Sequence, residues 1–242
     1  MPAPASTAGR PLLSVTAIGI ACAAMLALLV ATRPTVPGDP ATAAMLGDIL
    51  LWDSLMPRAV IALICGAALG LSGALLQRVL RNPIADASTL GIAAGAQLAL
   101  VAALGFSPLL LGLSRDAVAF GGGLAAVFLV LALSWRRGFD PVTVAVSGLI
   151  VSMIAASITI TLILARGEYA MSVSIWGAGS LSQQDWQGVI SLAPRLLIGA
   201  AAAILLVRPL NVLALDDASA KSLGMSIMAI RLAILLLAVW LA

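Results

Sequence analysis

Long apolar runs broken by short polar connections organise this chain. Seven runs stand out, at about 11–32, 57–79, 89–111, 117–135, 142–165, 190–207 and 226–242. A helix needs roughly 20 apolar residues to cross the hydrocarbon core of a bilayer. The short alternating segments of a membrane barrel are absent, so the pattern predicts membrane-spanning helices. Between the second and third runs lies Leu80-Arg-Asn-Pro-Ile-Ala-Asp-Ala-Ser-Thr-Leu-Gly91, a compact polar turn. Arg81, Asn82, Pro83 and Asp86 give it its chemical character.

Basic residues orient the runs. With the N-terminus in the cytoplasm, Arg10, Arg78, Arg81, Arg136, Arg137, Arg208, Lys221 and Arg231 fall inside. Arg33, Arg58, Arg115, Arg166 and Arg195 fall outside. Eight of the 13 basic residues are then cytoplasmic, with Arg136-Arg137 against the end of the fourth run. Residues 1–10 read as a cytoplasmic N-terminus. The first run resembles a signal peptide but is long enough to span, and an uncleaved span is preferred.

Composition agrees with this picture. Hydrophobic residues make up 62% of the chain and charged residues 10%. Soluble domains average about 45–50% apolar and about 25% charged. The fold class expected is an all-α polytopic membrane protein.

Little in the chain can carry catalysis. There is no histidine, no phosphate-binding G-x-x-x-x-G-K-[ST] stretch and no nucleophile–base set. Cys22 and Cys65 both fall inside apolar runs and read as buried small side chains. Almost every charge lies near a run boundary, which argues against a proton relay or an intramembrane enzyme. A packed helical passage for a large or already-chelated solute remains. A secondary transporter, a channel or a non-transporting membrane scaffold stays open on the residues alone.

Small residues and caps fill in local detail. Gly66, Gly70 and Gly73, and Gly91 with Gly95, are spaced for close helix packing. Gly121-Gly122-Gly123 marks flexibility or close contact. Asp140 can cap a helix that opens at Pro141, followed by Val142 and Thr143. Asp216 or Asp217 can cap a short helix through Ala218, Ala220, Lys221 and Leu223, closed by Gly224. Ser172 to Ile175 can form another, ended by Gly177, with Trp176 and Trp186 suited to a membrane interface.

Several separated stretches resemble one family. They are Met56-Pro-Arg-Ala-Val-Ile-Ala-Leu-Ile-Cys-Gly-Ala-Ala-Leu-Gly-Leu-Ser-Gly-Ala-Leu-Leu-Gln77, Arg81-Asn-Pro-Ile-Ala-Asp86 and Leu90-Gly-Ile-Ala-Ala-Gly-Ala-Gln97. Trp176-Gly-Ala-Gly-Ser-Leu181, Arg208-Pro-Leu-Asn211 and Ala218-Ser-Ala-Lys-Ser-Leu-Gly224 follow in order. Together they resemble the permease subunits of iron-siderophore and vitamin B12 ABC importers. Residues 89–99 and 180–186 are most similar to the ferric-hydroxamate (ferrichrome-type) permease, a fusion of two homologous halves. This chain resembles the first half.

The resemblance implies a type II importer permease of about ten spans, of which 11–242 would supply about seven. The seventh run holds about 16 residues before Ala242, and the expectation is a piece of a longer permease. The resemblance further implies two cytoplasmic ATP-binding subunits, a periplasmic siderophore-binding protein, a second permease half and surrounding lipid in a bacterial inner membrane. It implies no nucleic acid and no cofactor on this chain, since ATP and Mg belong to the partner ATPase. Leu213, Asp216, Asp217, Ala218, Ala220, Lys221, Leu223 and Gly224 match the segment that couples to the ATPase. Asp140, Pro141, Val142 and Thr143 match an inner gate, and Ser172 to Trp176 a short helix at the outer mouth. Arg58 matches a basic position that docks the binding protein. A second basic position three residues earlier is Leu55 here, a departure from that pattern. Vitamin B12, heme and other siderophores are the alternative cargoes within the family.

Overall fold

The computed structural model describes residues 10–32, 39–106, 114–137, 140–166, 179, 181, 185–213 and 226–242. Every regular element among them is helical. In chain order these are α1 (Arg10–Ala31), α2 (Pro40–Ile49), α3 (Met56–Val79), α4 (Ile92–Phe106), α5 (Arg115–Ser134), α6 (Pro141–Arg166), α7 (Trp186–Leu213) and α8 (Ile227–Leu241). The chain divides into two compact units, Met1–Ile61 with Gln184–Val189, and Ala62–Gln183 with Ile190–Ala242.

In the first unit, α2 does not end before α3. A π-helical stretch, Leu50–Leu55, joins them. Thr42–Val79 is therefore one helical segment of 38 residues, where the hydropathy pattern predicts a start at 57. Pro57 accounts for the irregularity. In the π register the Met56 N–H bonds to Leu51 O, and the next donor in line would be Pro57, which has none. The carbonyl of Trp52 thus lacks a helical donor. The indole Nε1–H of Trp186 supplies it at 2.9 Å. Asp185 caps α7 there, its carboxylate accepting from Gly188 N at 3.1 Å.

The second unit holds a bundle whose core draws on α3, α5, α6, α7, α8 and the turn before α4. Leu76, Leu90, Val130, Leu210, Ile234 and Ala238 are among its most buried members. Inside it, the Ser72 hydroxyl donates to Ala238 O at 3.1 Å and links α3 to α8. Ser134 donates to Val130 O at 2.8 Å and lies 3.4 Å from the Ser147 hydroxyl, between α5 and α6. Buried hydroxyls are tolerated because each has a partner.

Helices α4 and α5 approach most closely at Gly95 and Gly122. A Cβ on Gly95 would lie 2.6 Å from both Ala126 Cβ and Gly122 O. Gly148 on α6 meets the backbone of Thr89 equally tightly. Gly66, Gly70 and Gly73 do not make such contacts. A Cβ on any of them meets nothing within 4 Å among the described residues. Spacing marked all five glycines as packing positions, but spacing does not say which face meets a neighbour. The close approaches of backbone to backbone fall to Gly95, Gly122 and Gly148 among the described residues.

Among the described residues, four helical segments are long and apolar enough to cross a membrane: Thr42–Val79, Arg115–Arg137, Val142–Ala165 and Trp186–Leu213. Among the shorter apolar helices, α4 and α8 have 15 residues each. Helix α4 starts at Ile92 rather than 89 because Gly91 takes a left-handed φ of 76°. Met153, Ile158, Leu164, Ile204 and Leu205 point outward from α6 and α7. Such an apolar exterior belongs in lipid, and the chain is a multi-pass membrane protein.

Two outcomes test this packing. Gly122→Ala should cost about 1–3 kcal/mol through overpacking, whereas Gly70→Ala should be neutral or stabilise by up to about 1 kcal/mol through helix propensity. Thermal unfolding followed by circular dichroism in detergent compares them. Trp186→Phe should cost about 1–3 kcal/mol by stranding Trp52 O. Pro57→Ala restores a backbone donor, so the double variant should lose less than the two singles combined.

Candidate functional site

The turn from Leu80 to Gly91 is built by its own sequence. Helix α3 ends in a Schellman motif: Asn82 N donates to Gln77 O at 3.1 Å, and Arg81 takes the left-handed position with φ 46°. That conformation costs a residue with a Cβ about 1–2 kcal/mol. Pro83 follows and cannot continue a helix. Asn82 Oδ1 accepts from Ile84 N at 3.0 Å. The Asp86 carboxylate accepts from Thr89 N at 2.7 Å and from the Ser88 hydroxyl at 2.8 Å. Partial burial acts to raise the Asp86 pKa, but these hydrogen bonds outweigh it and hold the carboxyl below its usual value. Leu80, Ala85, Ala87 and Leu90 anchor the turn in the core.

Two helices hold the turn in place. Arg81 Nη2 donates to Leu213 O, the last residue of α7, at 3.0 Å. The Ser152 hydroxyl on α6 lies 3.0 Å from Ser88 O and 2.8 Å from Gly148 O. Gly91 packs on the same place, where a Cβ would lie 3.2 Å from Ser152 Oγ. Val79, Leu80, Leu131, Val144, Met228 and Arg231 surround one small cavity. The ends of α3, α5 and α7 and the starts of α6 and α8 therefore share one end of the bundle. Arg78, Arg81, Arg136, Arg137, Arg208 and Arg231 are all found in these segments.

The corner between α5 and α6 belongs to this basic end. Asp140 Oδ2 accepts from Thr143 N at 3.0 Å and from Thr143 Oγ1 at 3.2 Å. Pro141 takes the first helical position and Val142 is exposed beside it. Of the residues matched to ATPase coupling, Leu213 is described, and it is buried at 3% exposure. Its side chain is a core anchor and not a docking contact, which corrects the expectation for that residue. Asp216, Asp217, Ala218, Ala220, Lys221, Leu223 and Gly224 lie outside the described residues, as do Ser172 to Trp176. Arg58 lies in the first turn of α3, within the first unit, and is half-buried.

At the opposite end of the second unit is a feature the sequence reading missed. Arg195 Nη2 meets Asp116 Oδ2 at 2.8 Å. The Trp240 indole donates to Arg195 O at 3.2 Å and stacks edge-on against Phe120, with ring centres 5.9 Å apart. These residues border a largely apolar cavity of about 340 Å³ between α3, α4, α5, α7 and α8. Arg195 was assigned to a boundary because α7 was expected to start at 190; it starts at Trp186. An arginine that deep in an apolar helix calls for a partner, and that was the available signal.

Among the described residues, no nucleophile–base set or phosphate cradle joins either end. Among the described residues, no three metal-ligating side chains converge. Residues 12–242 match the FecCD transport family.

The chain belongs to the FecCD transport family. It is similar to the iron(3+)-hydroxamate import system permease protein FhuB of Escherichia coli (strain K12), 40% identical over 187 residues, 77% of this chain and 28% of FhuB. It is also similar to the ferric enterobactin transport system permease protein FepG of the same strain, 34% identical over 207 residues, 81% of this chain and 62% of FepG. The chain thus spans less than two thirds of either relative. Its fold is similar to a solved structure described as an inward-facing conformation of a metal-chelate type ABC transporter. The TM-score is 0.72 at 22% identity, covering 92% of this chain and 71% of that one. Within a FecCD-family chain, the turn, the α5–α6 corner and the end of α7 form the candidate functional site.

The lowered Asp86 pKa sets a pH dependence for the turn. Its contribution is present above the ordinary carboxylate value and is lost as pH falls through the lower folded value. Hydrogen exchange at Thr89 N should therefore be protected at neutral pH and quicken, relative to its intrinsic rate, in acid. Asp86→Asn should quicken it already at neutral pH, and equal protection in both proteins would remove Asp86 as the cause.

Proposed function

We propose that this chain is part of the transmembrane permease of an ATP-driven importer, carrying ferric hydroxamate siderophores inward across the bacterial inner membrane. The observation that carries this reading is the family match over residues 12–242. Similarity to FhuB supports the hydroxamate class.

In this reading the N-terminus and the basic end face the cytoplasm, as the bias of basic residues favours. A periplasmic binding protein, docking through Arg58, delivers the chelate to the outer mouth. Residues 216–224 meet one of two cytoplasmic ATPases, which use ATP and Mg. Closure of the ATPases moves the helix ends at the basic face, and Asp140 to Thr143 open or shut the inner exit. A second permease half completes the passage. The iron travels inside its chelator, so the passage needs shape and few charges, and supplies no metal ligands. Alternating access is then a rocking of packed helices, and hydrolysis stays with the partners.

Reconstitution tests it. The full-length permease, its ATPases and its binding protein are placed in proteoliposomes, and uptake of a ferric hydroxamate is followed. Uptake should require ATP on the ATPase side, and uptake that persists without the ATPases would sink the reading. A ferric catecholate runs beside it, because similarity to FepG favours that chelate as the second candidate; preferential uptake of it replaces the hydroxamate. Asp217→Lys or Leu223→Asp should lower uptake by roughly tenfold or more, the effect of losing about 1.4 kcal/mol at a docking contact. Membrane insertion should be unchanged.

A further inference from the structure

Arg81 combines two features that normally exclude one another. Among the described residues it is the sole non-glycine residue with positive φ, at a helix end where glycine is the usual choice. Glycine would relax the backbone but would carry no side chain. The arginine at this position reaches Leu213 O at 3.0 Å, across 132 residues of sequence. The last carbonyls of a helix lack helical donors, and a cation is favoured at a helix C-terminus. The guanidinium therefore caps α7 while its own backbone caps α3. On its other side the turn is held to α6 through Ser152, Ser88 and the close approach of Gly148 to Thr89. The Gly148 to Ser152 stretch of α6 and the end of α7 are thus tied to the same short turn.

We infer that Arg81 is a positioning residue for energy coupling. Its guanidinium fixes the end of α7 to the turn, so that a displacement of α7 carries α6 with it through Gly148 and Ser152. The backbone strain at Arg81 is retained because glycine cannot make this tie. The inference rests on the reading of the chain as an ATP-driven permease, but the tie itself is measurable without transport.

Spin labels at Ile84→Cys and Asn211→Cys, both exposed positions, report the tie in a cysteine-free, full-length permease bound to its ATPases. One narrow distance is expected, with and without ATP. Arg81→Ala should broaden it, and Arg81→Lys, which keeps an N–H donor, should restore it. Chelate transported per ATP hydrolysed should fall about tenfold in Arg81→Ala, in line with the loss of one charge-assisted hydrogen bond, and recover in Arg81→Lys. A narrow distance that survives Arg81→Ala overturns the inference, and so does an unchanged transport-to-ATP ratio. If Ala, Gln and Lys variants all fail to insert, Arg81 serves folding alone and the inference falls. If the unaltered permease shows no ATP-driven uptake, the importer reading fails, while the distances still decide whether Arg81 holds α7.

Discussion

Lipid offers no hydrogen bonds to a backbone, and that constraint bears on the irregular points described above. A regular helix satisfies its own carbonyls, but a π-stretch, a helix end or a proline releases some of them. Each release described above has a named donor. Trp186 reaches Trp52 O where Pro57 withholds an N–H. Arg81 reaches Leu213 O where α7 ends. Ser72 adds a second donor to Ala238 O, which already accepts from Ala242 N. These donors come from residues far along the sequence, so local departures from helix geometry become long-range ties.

Close approach is the second means of holding the bundle. Helices in lipid gain little from hydrophobic association, so packing and short contacts must hold them. Gly95 against Gly122, and Gly148 against Thr89, bring backbones together without intervening side chains. The second contact presses the turn onto α6, and Ser152 adds hydroxyl contacts there. Shape and hydrogen bonding thus act at one place, the site where the turn has to be most rigid.

Much of this was legible in the sequence. Hydropathy locates the long helices, since burial in lipid needs length and apolar content alone. Asp140 before Pro141 names its own cap, because capping is local chemistry. The departures share a cause: they depend on a distant partner. Residues 40–55 carry Asp48, Asp53 and glycine and read as a connection, yet they continue into α3 through a π-turn completed by Trp186. Gly66 and Gly70 have the spacing of a packing face but no neighbour among the described residues. The ion pair of Arg195 with Asp116 joins residues 79 apart. Leu213 looked like a contact for a partner because its neighbours in sequence match one, whereas its burial is set by the bundle.

The two ends of the second unit are built for different tasks. At the basic end, Arg81 and Ser152 hold the turn through hydrogen bonds to main-chain oxygens. At the other end, one half-exposed ion pair and an aromatic edge contact border an apolar cavity. A half-exposed pair contributes little to stability, since solvent and salt screen it. Relative movement of helices is therefore easier where the cavity lies than where the turn is tied. The importer proposed above needs this division, because force has to pass through the end that receives it. Fixing the turn costs backbone strain at Arg81, while the cavity end is left joined by a half-exposed ion pair.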